Sequence, residues 1–122
     1  MTPKDFVEGI YEELNSSLAS YADIYVNTDL KEKSDSFYKR AIPFFRTLDE
    51  KDQETFFEII RQIEIDRTAT ILALIDGVFL LKNQESNLKL ISKGDSEETI
   101  ISGDLSNLFL ELIEIQETEN NL

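Results

Sequence analysis

The chain has 122 residues, 41% of them apolar, which is enough for one globular domain without a disulfide or metal staple. It contains no cysteine and no histidine, which excludes disulfides, thiolate chemistry and the commonest neutral-pH base and metal ligand. Twelve basic against twenty-five acidic residues leave a net charge of −13, which repels nucleic acid and anionic lipid unless a basic patch intervenes.

Thr2-Pro3-Lys4-Asp5 reads as a helix start. Thr2 can cap, Pro3 suits the first helical position, and Asp5 lies in the electropositive first turn. Phe6, Val7, Ile10, Tyr11, Leu14 and Leu18 then recur at helical spacing, with Glu8, Glu12 and Glu13 opposite, which predicts a helix over about 3–24. Gly9 inside it costs roughly 1 kcal/mol against Ala and marks either a close helix approach or nothing. Asn27-Thr28-Asp29 is a polar break. A second, weaker helix is expected from Asp35 to Arg46, with Phe37, Tyr38, Ala41, Phe44 and Phe45 turned inward and Pro43 kinking or ending it.

Thr47-Leu48-Asp49-Glu50 has capping-box spacing, so a long helix should follow over about 48–76. Phe56, Phe57, Ile60, Ile63, Ile71, Leu74 and Ile75 supply its apolar side. The run from Ile71 to Ile75 is apolar all round, which predicts the central buried element. Gly77 is placed to end this helix in the left-handed conformation. Beyond Val78-Phe79-Leu80-Leu81 the period changes. The stretches 87–92 and 97–102 alternate in part around Lys93-Gly94-Asp95-Ser96, which predicts a β-hairpin. Asp104 is then expected to cap a last helix, and the polar stretch 117–122 to fray. The predicted fold is α+β and predominantly helical: one domain over 1–122 with four helices, the long one central, and one β-hairpin.

No catalytic residue, metal ligand set or cofactor is assigned. Asp49, Glu50 and Asp52 fit a helical first turn, and neither Glu12-Glu13 nor Glu111 with Glu114 matches a calcium loop. The four glycines lie too far apart for a phosphate loop. Asp66 and Arg67 are the buried polar candidates, because they interrupt the apolar surface of the long helix with Thr70 one turn on. A carboxylate in such a setting would have a raised pKa and could act as an acid. The plainer reading turns both residues to solvent or pairs them with neighbouring helices.

The acid is concentrated late. Residues 1–46 hold 6 basic and 8 acidic residues, 47–76 hold 3 and 8, and 77–122 hold 3 and 9. The basic residues Lys31, Lys33, Lys39, Arg40 and Arg46 are interleaved with Asp29, Glu32 and Asp35 and form no patch for nucleic acid. Glu97, Glu98, Glu111 and Glu114 are therefore the expected surface for another protein, a basic one, although an acidic face is more often simply solvated. On the last helix, Leu105, Leu108, Phe109, Leu110, Leu112 and Ile113, extended by Ile115, exceed what one helix face needs. They are either core or the contact of a two-fold homodimer. No apolar run approaches the roughly 20 residues of a membrane span, so no membrane partner is expected and the cytoplasm is the default location.

Ile71-Leu72-Ala73-Leu74-Ile75-Asp76-Gly77, a hairpin, and then Ser102-Gly103-Asp104-Leu105-Ser106-Asn107-Leu108-Phe109-Leu110-Glu111 together resemble a pattern in a family of small, uncharacterised, acidic bacterial proteins. In that family a long helix ends in Asp-Gly and a Gly-Asp-Leu start opens a final helix. The resemblance covers about the last 50 residues of the chain. In size and charge the chain is also similar to the immunity proteins that neutralise bacterial toxins, many of which are acidic because their nuclease targets are basic. The expected function is an acidic protein-binding module of the inhibitor or immunity type, acting on a basic partner such as a toxin, without catalysis. The alternatives are a structural or regulatory homodimer and, third, a carboxylate-based enzyme or small-ligand binder.

Overall fold

The structure is a computed structural model that describes residues 1–31 and 35–120. Its elements are α1 (Pro3–Asn27), α2 (Ser36–Thr47), α3 (Glu50–Ile75), β1 (Ile91–Lys93), β2 (Glu98–Ile100) and α4 (Leu105–Asn120). This is the expected predominantly helical α+β fold, with two long helices of 25 and 26 residues rather than one. The chain gathers into two compact units that divide both long helices. One comprises Met1–Glu13 and Ile65–Leu122, the other Leu14–Glu64.

In the Leu14–Glu64 unit, Tyr25, Ile42 and Phe45 are buried, with Tyr21, Tyr38, Phe56 and Phe57 packed against them. The rings meet edge-on or tilted, Tyr25 to Phe56 at 5.0 Å and Phe45 to Phe57 at 5.1 Å between centroids, the arrangement aromatic quadrupoles favour. One expectation for α2 is corrected. Phe37 and Phe44 face outward, because Ile42 and Phe45 fix the inward side and place these two rings opposite. Pro43 lies inside the helix without ending it. The carbonyl it leaves unbonded is that of Lys39, an exposed residue, so the loss is made at the surface.

α2 also absorbs Thr47, whose hydroxyl donates to the Phe44 carbonyl at 2.7 Å. The cap of α3 is therefore Asp49, whose Oδ1 accepts the Asp52 amide at 2.8 Å, and not the expected Thr47. At the other end of this unit, α1 has no basic residue in its last turn. Arg46 of α2 takes that place, donating to the carbonyls of Tyr25, Val26 and Thr28 at 3.2, 3.3 and 2.7 Å.

In the other unit the buried side chains include Val7, Ile65, Leu72, Leu74, Ile101, Leu105, Phe109 and Ile113. Ile71 and, in the Leu14–Glu64 unit, Ile63 are exposed, so α3 is not apolar-covered all round as expected. Asp66 and Arg67 are also exposed, which corrects their candidacy as buried polar residues. Ile65 takes the inward position, and its two successors rotate away from it by about 100° each.

α3 ends as expected at Gly77, with φ of 82°. The Gly77 amide donates to the Leu74 carbonyl and the Val78 amide to the Ala73 carbonyl, which is the Schellman pairing. The residue after the glycine usually packs back onto such a helix, but Val78 is 72% exposed.

The hairpin pairs antiparallel with Ile91 opposite Ile100, Ser92 opposite Thr99 and Lys93 opposite Glu98. Its strands are shorter than the alternation suggested, three residues each. Next to the ladder, Ile101 is buried and donates its amide to the Leu90 carbonyl, so Ile91 and Ile100 fall on the outer side.

α4 opens on a cap from elsewhere in the chain. Asp76, just past α3, accepts the amides of Gly103 and Leu105 on Oδ1 at 2.7 and 3.0 Å, and that of Ser106 on Oδ2 at 2.8 Å. The expected cap, Asp104, instead accepts from the Asn107 side chain at 2.8 Å. The Ser106 hydroxyl donates to the Ala69 carbonyl at 2.9 Å, a second tie between the helices. Residues 117–120, expected to fray, continue α4, while 121 and 122 lie outside the described residues.

Candidate functional site: an apolar groove with an acidic lip

Within the unit formed by 1–13 and 65–122, α1 and α4 leave an open groove of about 160 Å³. Its apolar lining is Val7, Leu108, Leu112 and Ile115, and its charged lining is Lys4, Glu8 and Glu111. α1 brings Lys4, Val7 and Glu8 together because three- and four-residue spacing puts them on one face. Its start is fixed by a reciprocal box in which Thr2 Oγ1 accepts the Asp5 amide at 3.0 Å and Asp5 Oδ2 accepts the Thr2 amide at 3.1 Å. Accepting from Thr2, from its backbone amide first and then from its side chain, holds the Asp5 carboxyl below its ordinary range. On α4, Leu108, Leu112 and Ile115 again repeat at three and four.

The lip is acidic in effect. Lys4 Nζ lies 3.9 Å from Glu8 Oε1, which leaves Glu111 with no ion pair among the described residues. α4 carries Glu111, Glu114, Glu117 and Glu119 and no basic residue. Two of these sit in its last turn, where the helix dipole is negative and cations are favoured.

Of the expected partner-binding acids, Glu111 lines the groove and Glu114 is exposed on the same helix outside its lining. Glu97 and Glu98 stand on the hairpin, apart from the groove lining. Glu98 pairs with Lys93 at 3.6 Å, and the Glu97 carbonyl closes the turn by accepting the Gly94 amide at 2.8 Å. The wide apolar face of α4 divides three ways. Leu105, Phe109 and Ile113 are core, Leu108 and Leu112 are half-buried in the groove, and Leu110 and Ile115 are 43% and 54% exposed.

Sequence reasoning missed the contribution of α1, because Glu8 reads there as part of a solvated back face. Among the described residues no group of three or more acidic side chains is placed to hold a metal ion, and no helix is long and apolar enough to cross a membrane. Set against known proteins, the chain matches no protein-family model, no curated protein and no solved structure.

Proposed function

We propose that the chain is a protein-binding module whose α1–α4 groove receives an apolar side chain from a basic segment of another protein. The observation that carries this reading is the pairing, in one groove, of an apolar floor with Glu111 at its lip, which has no ion pair among the described residues. An apolar floor supplies affinity by removing surface from water, and the glutamate selects for a cationic surround and speeds its encounter. This is the pattern by which an acidic inhibitor or immunity protein engages a cationic target. Catalysis has no part in the reading: Asp66, the carboxylate that an acid-catalysis alternative needs desolvated, is exposed.

The test is titration of the protein with a labelled amphipathic peptide carrying Phe anchors flanked by Lys and Arg. Binding is expected to weaken with Glu111→Lys, with Ile115→Asp, and as salt is raised toward 1 M, where the screening length is roughly 3 Å. Binding that ignores both substitutions and salt would overturn the reading.

A further inference from the structure

The groove just proposed as a docking site is matched by another surface of the same chain, and the inference drawn here rests on that reading. Among the described helices α2 is the one without an acidic residue, and it carries Lys39, Arg40 and Arg46. Arg46 is committed to the carbonyls at the end of α1. Lys39 and Arg40 are exposed and have no ion-pair partner among the described residues.

On the same outward side stand Phe37 and Phe44, 54% and 60% exposed. They are seven positions apart, two turns along one face, and Arg40 lies between them at three- and four-residue spacing. The helix thus presents aromatic, cation, aromatic in a row on a chain of net charge −13. Apolar cavities of roughly 150 Å³ accept a benzene ring, and the groove offers about 160 Å³.

We propose that the α1–α4 groove of one copy takes the Phe37–Arg40–Phe44 face of α2 from a second copy, so that the chain self-associates head to tail. One phenylalanine ring enters between Val7, Leu108 and Leu112, and Arg40 meets Glu111. The groove is open, and both rings are exposed.

Charge selects this pairing over the alternatives. A two-fold contact of α4 with itself would set four glutamates against four. A larger apolar groove in the other unit, about 360 Å³ between Leu18, Tyr21, Phe57 and Ile60, is bordered by Glu54, Glu58 and Arg61. Its helical segments, 14–27 and 50–64, hold six acidic and two basic residues, against eight and one for 3–13 and α4. A heterologous contact leaves a free groove at one end and a free α2 face at the other, so it builds rings or open chains.

Sedimentation of the full chain and three variants decides the matter. Phe37→Ser with Phe44→Ser blocks the α2 face, and Glu111→Arg with Ile115→Arg blocks the groove. All four positions are exposed, so folding is retained. The unaltered chain should grow in mass with concentration and weaken by about tenfold or more as salt approaches 0.5 M, where the screening length is roughly 4 Å. Each blocked variant alone should be monomeric. An equal mixture of the two should stop at a heterodimer, because only one complete contact remains. The third variant, Glu54→Arg with Glu58→Arg, should associate like the unaltered chain. A monomer at all concentrations, a mixture that fails to pair, or association lost only in the third variant would each overturn the proposal. In the first case, retained binding of the basic peptide would keep the docking reading and remove self-association alone.

Discussion

The Oδ2 atom of Asp76 accepts the amide of Ser106 at 2.8 Å, thirty positions on in sequence. The carboxylate at the end of one helix is thereby the cap of the next, with Gly103 and Leu105 on its other oxygen. Replacing a capping side chain by Ala costs about 0.5–2 kcal/mol, and hydrogen bonds to a charged group are worth about 1.5–3 kcal/mol. Asp76→Ala is therefore expected to lose about 2 kcal/mol in urea unfolding and Asp76→Asn less, because an amide keeps one acceptor oxygen. Asp104→Ala should cost less than either. A larger loss at Asp104 would return the cap to that residue.

Arg46 plays the matching part at the far end of α1. Arg46→Ala removes three donors from carbonyls that α1 cannot satisfy itself and should cost about 1–2 kcal/mol. Arg46→Lys should recover only part of this, since a single ammonium cannot reproduce the planar fork. Full rescue by Lys in thermal unfolding would show that charge alone, and not the forked geometry, holds the helix end.

Two glycines are expected to respond with opposite signs. A Cβ at Gly9 would meet nothing within 4 Å, so no close helix approach requires the glycine. Gly9→Ala should stabilise by about 0.5–1 kcal/mol through helix propensity. Gly77 also has open space around its Cβ position, but its φ of 82° is strained for an L side chain. Gly77→Ala should destabilise by about 1–2 kcal/mol. Denaturant midpoints for the two variants should move in opposite directions, and a shared direction would contradict the assignment.

Stability should have an acid limb and an alkaline limb with identifiable origins. The Asp5 carboxyl is lowered from 3.8 by its hydrogen bonds to Thr2, so its contribution is present above that pH and lost as pH falls through the folded value. The Tyr25 phenol is raised from 10.0, by burial first and then by Tyr38 and Tyr21 beside it. The folded state therefore favours the neutral phenol. That preference is intact below pH 10.0 and lost as pH rises through the folded value. Tyr25→Phe should flatten the alkaline limb and Asp5→Asn the acid limb when unfolding is measured across pH. Limbs unchanged by these substitutions would place the responsible groups elsewhere.

Local signals suffice where one residue's neighbours decide its state. The 3.6-residue stripes of α1 and α4, the caps at Thr2 and Gly77 and the turn at Gly94 all lie within a few residues of what they control. The phase of α2 was ambiguous, since Phe37, Tyr38, Ala41, Ile42, Phe44 and Phe45 put apolar side chains almost all round a short helix. Only packing against Tyr25 and Phe56 from other helices settles it. Asp104 lost the capping role to a residue nearly thirty positions away, which no local spacing encodes. For the groove, Glu111 was legible as an acid on the last helix, but its partners Val7 and Glu8 come from the other end of the chain.

The division of the two long helices also bears on the order in which the chain can assemble as it is synthesised. The unit of residues 14–64 is contiguous, so every segment it needs has been made once Glu64 has been added. The other unit joins 1–13 to 65–122, so its first segment is made long before the residues that bury Val7. At translation rates of roughly 5–20 residues per second, that segment waits for several seconds with its apolar stripe uncovered. In the folded chain that segment carries the reciprocal box of Thr2 and Asp5 and the flanking charges of Asp5, Glu8, Glu12 and Glu13. Charges flanking an apolar stripe oppose its premature self-adhesion, so replacing Glu8, Glu12 and Glu13 by Ala is expected to lower the soluble yield of the chain more than its stability.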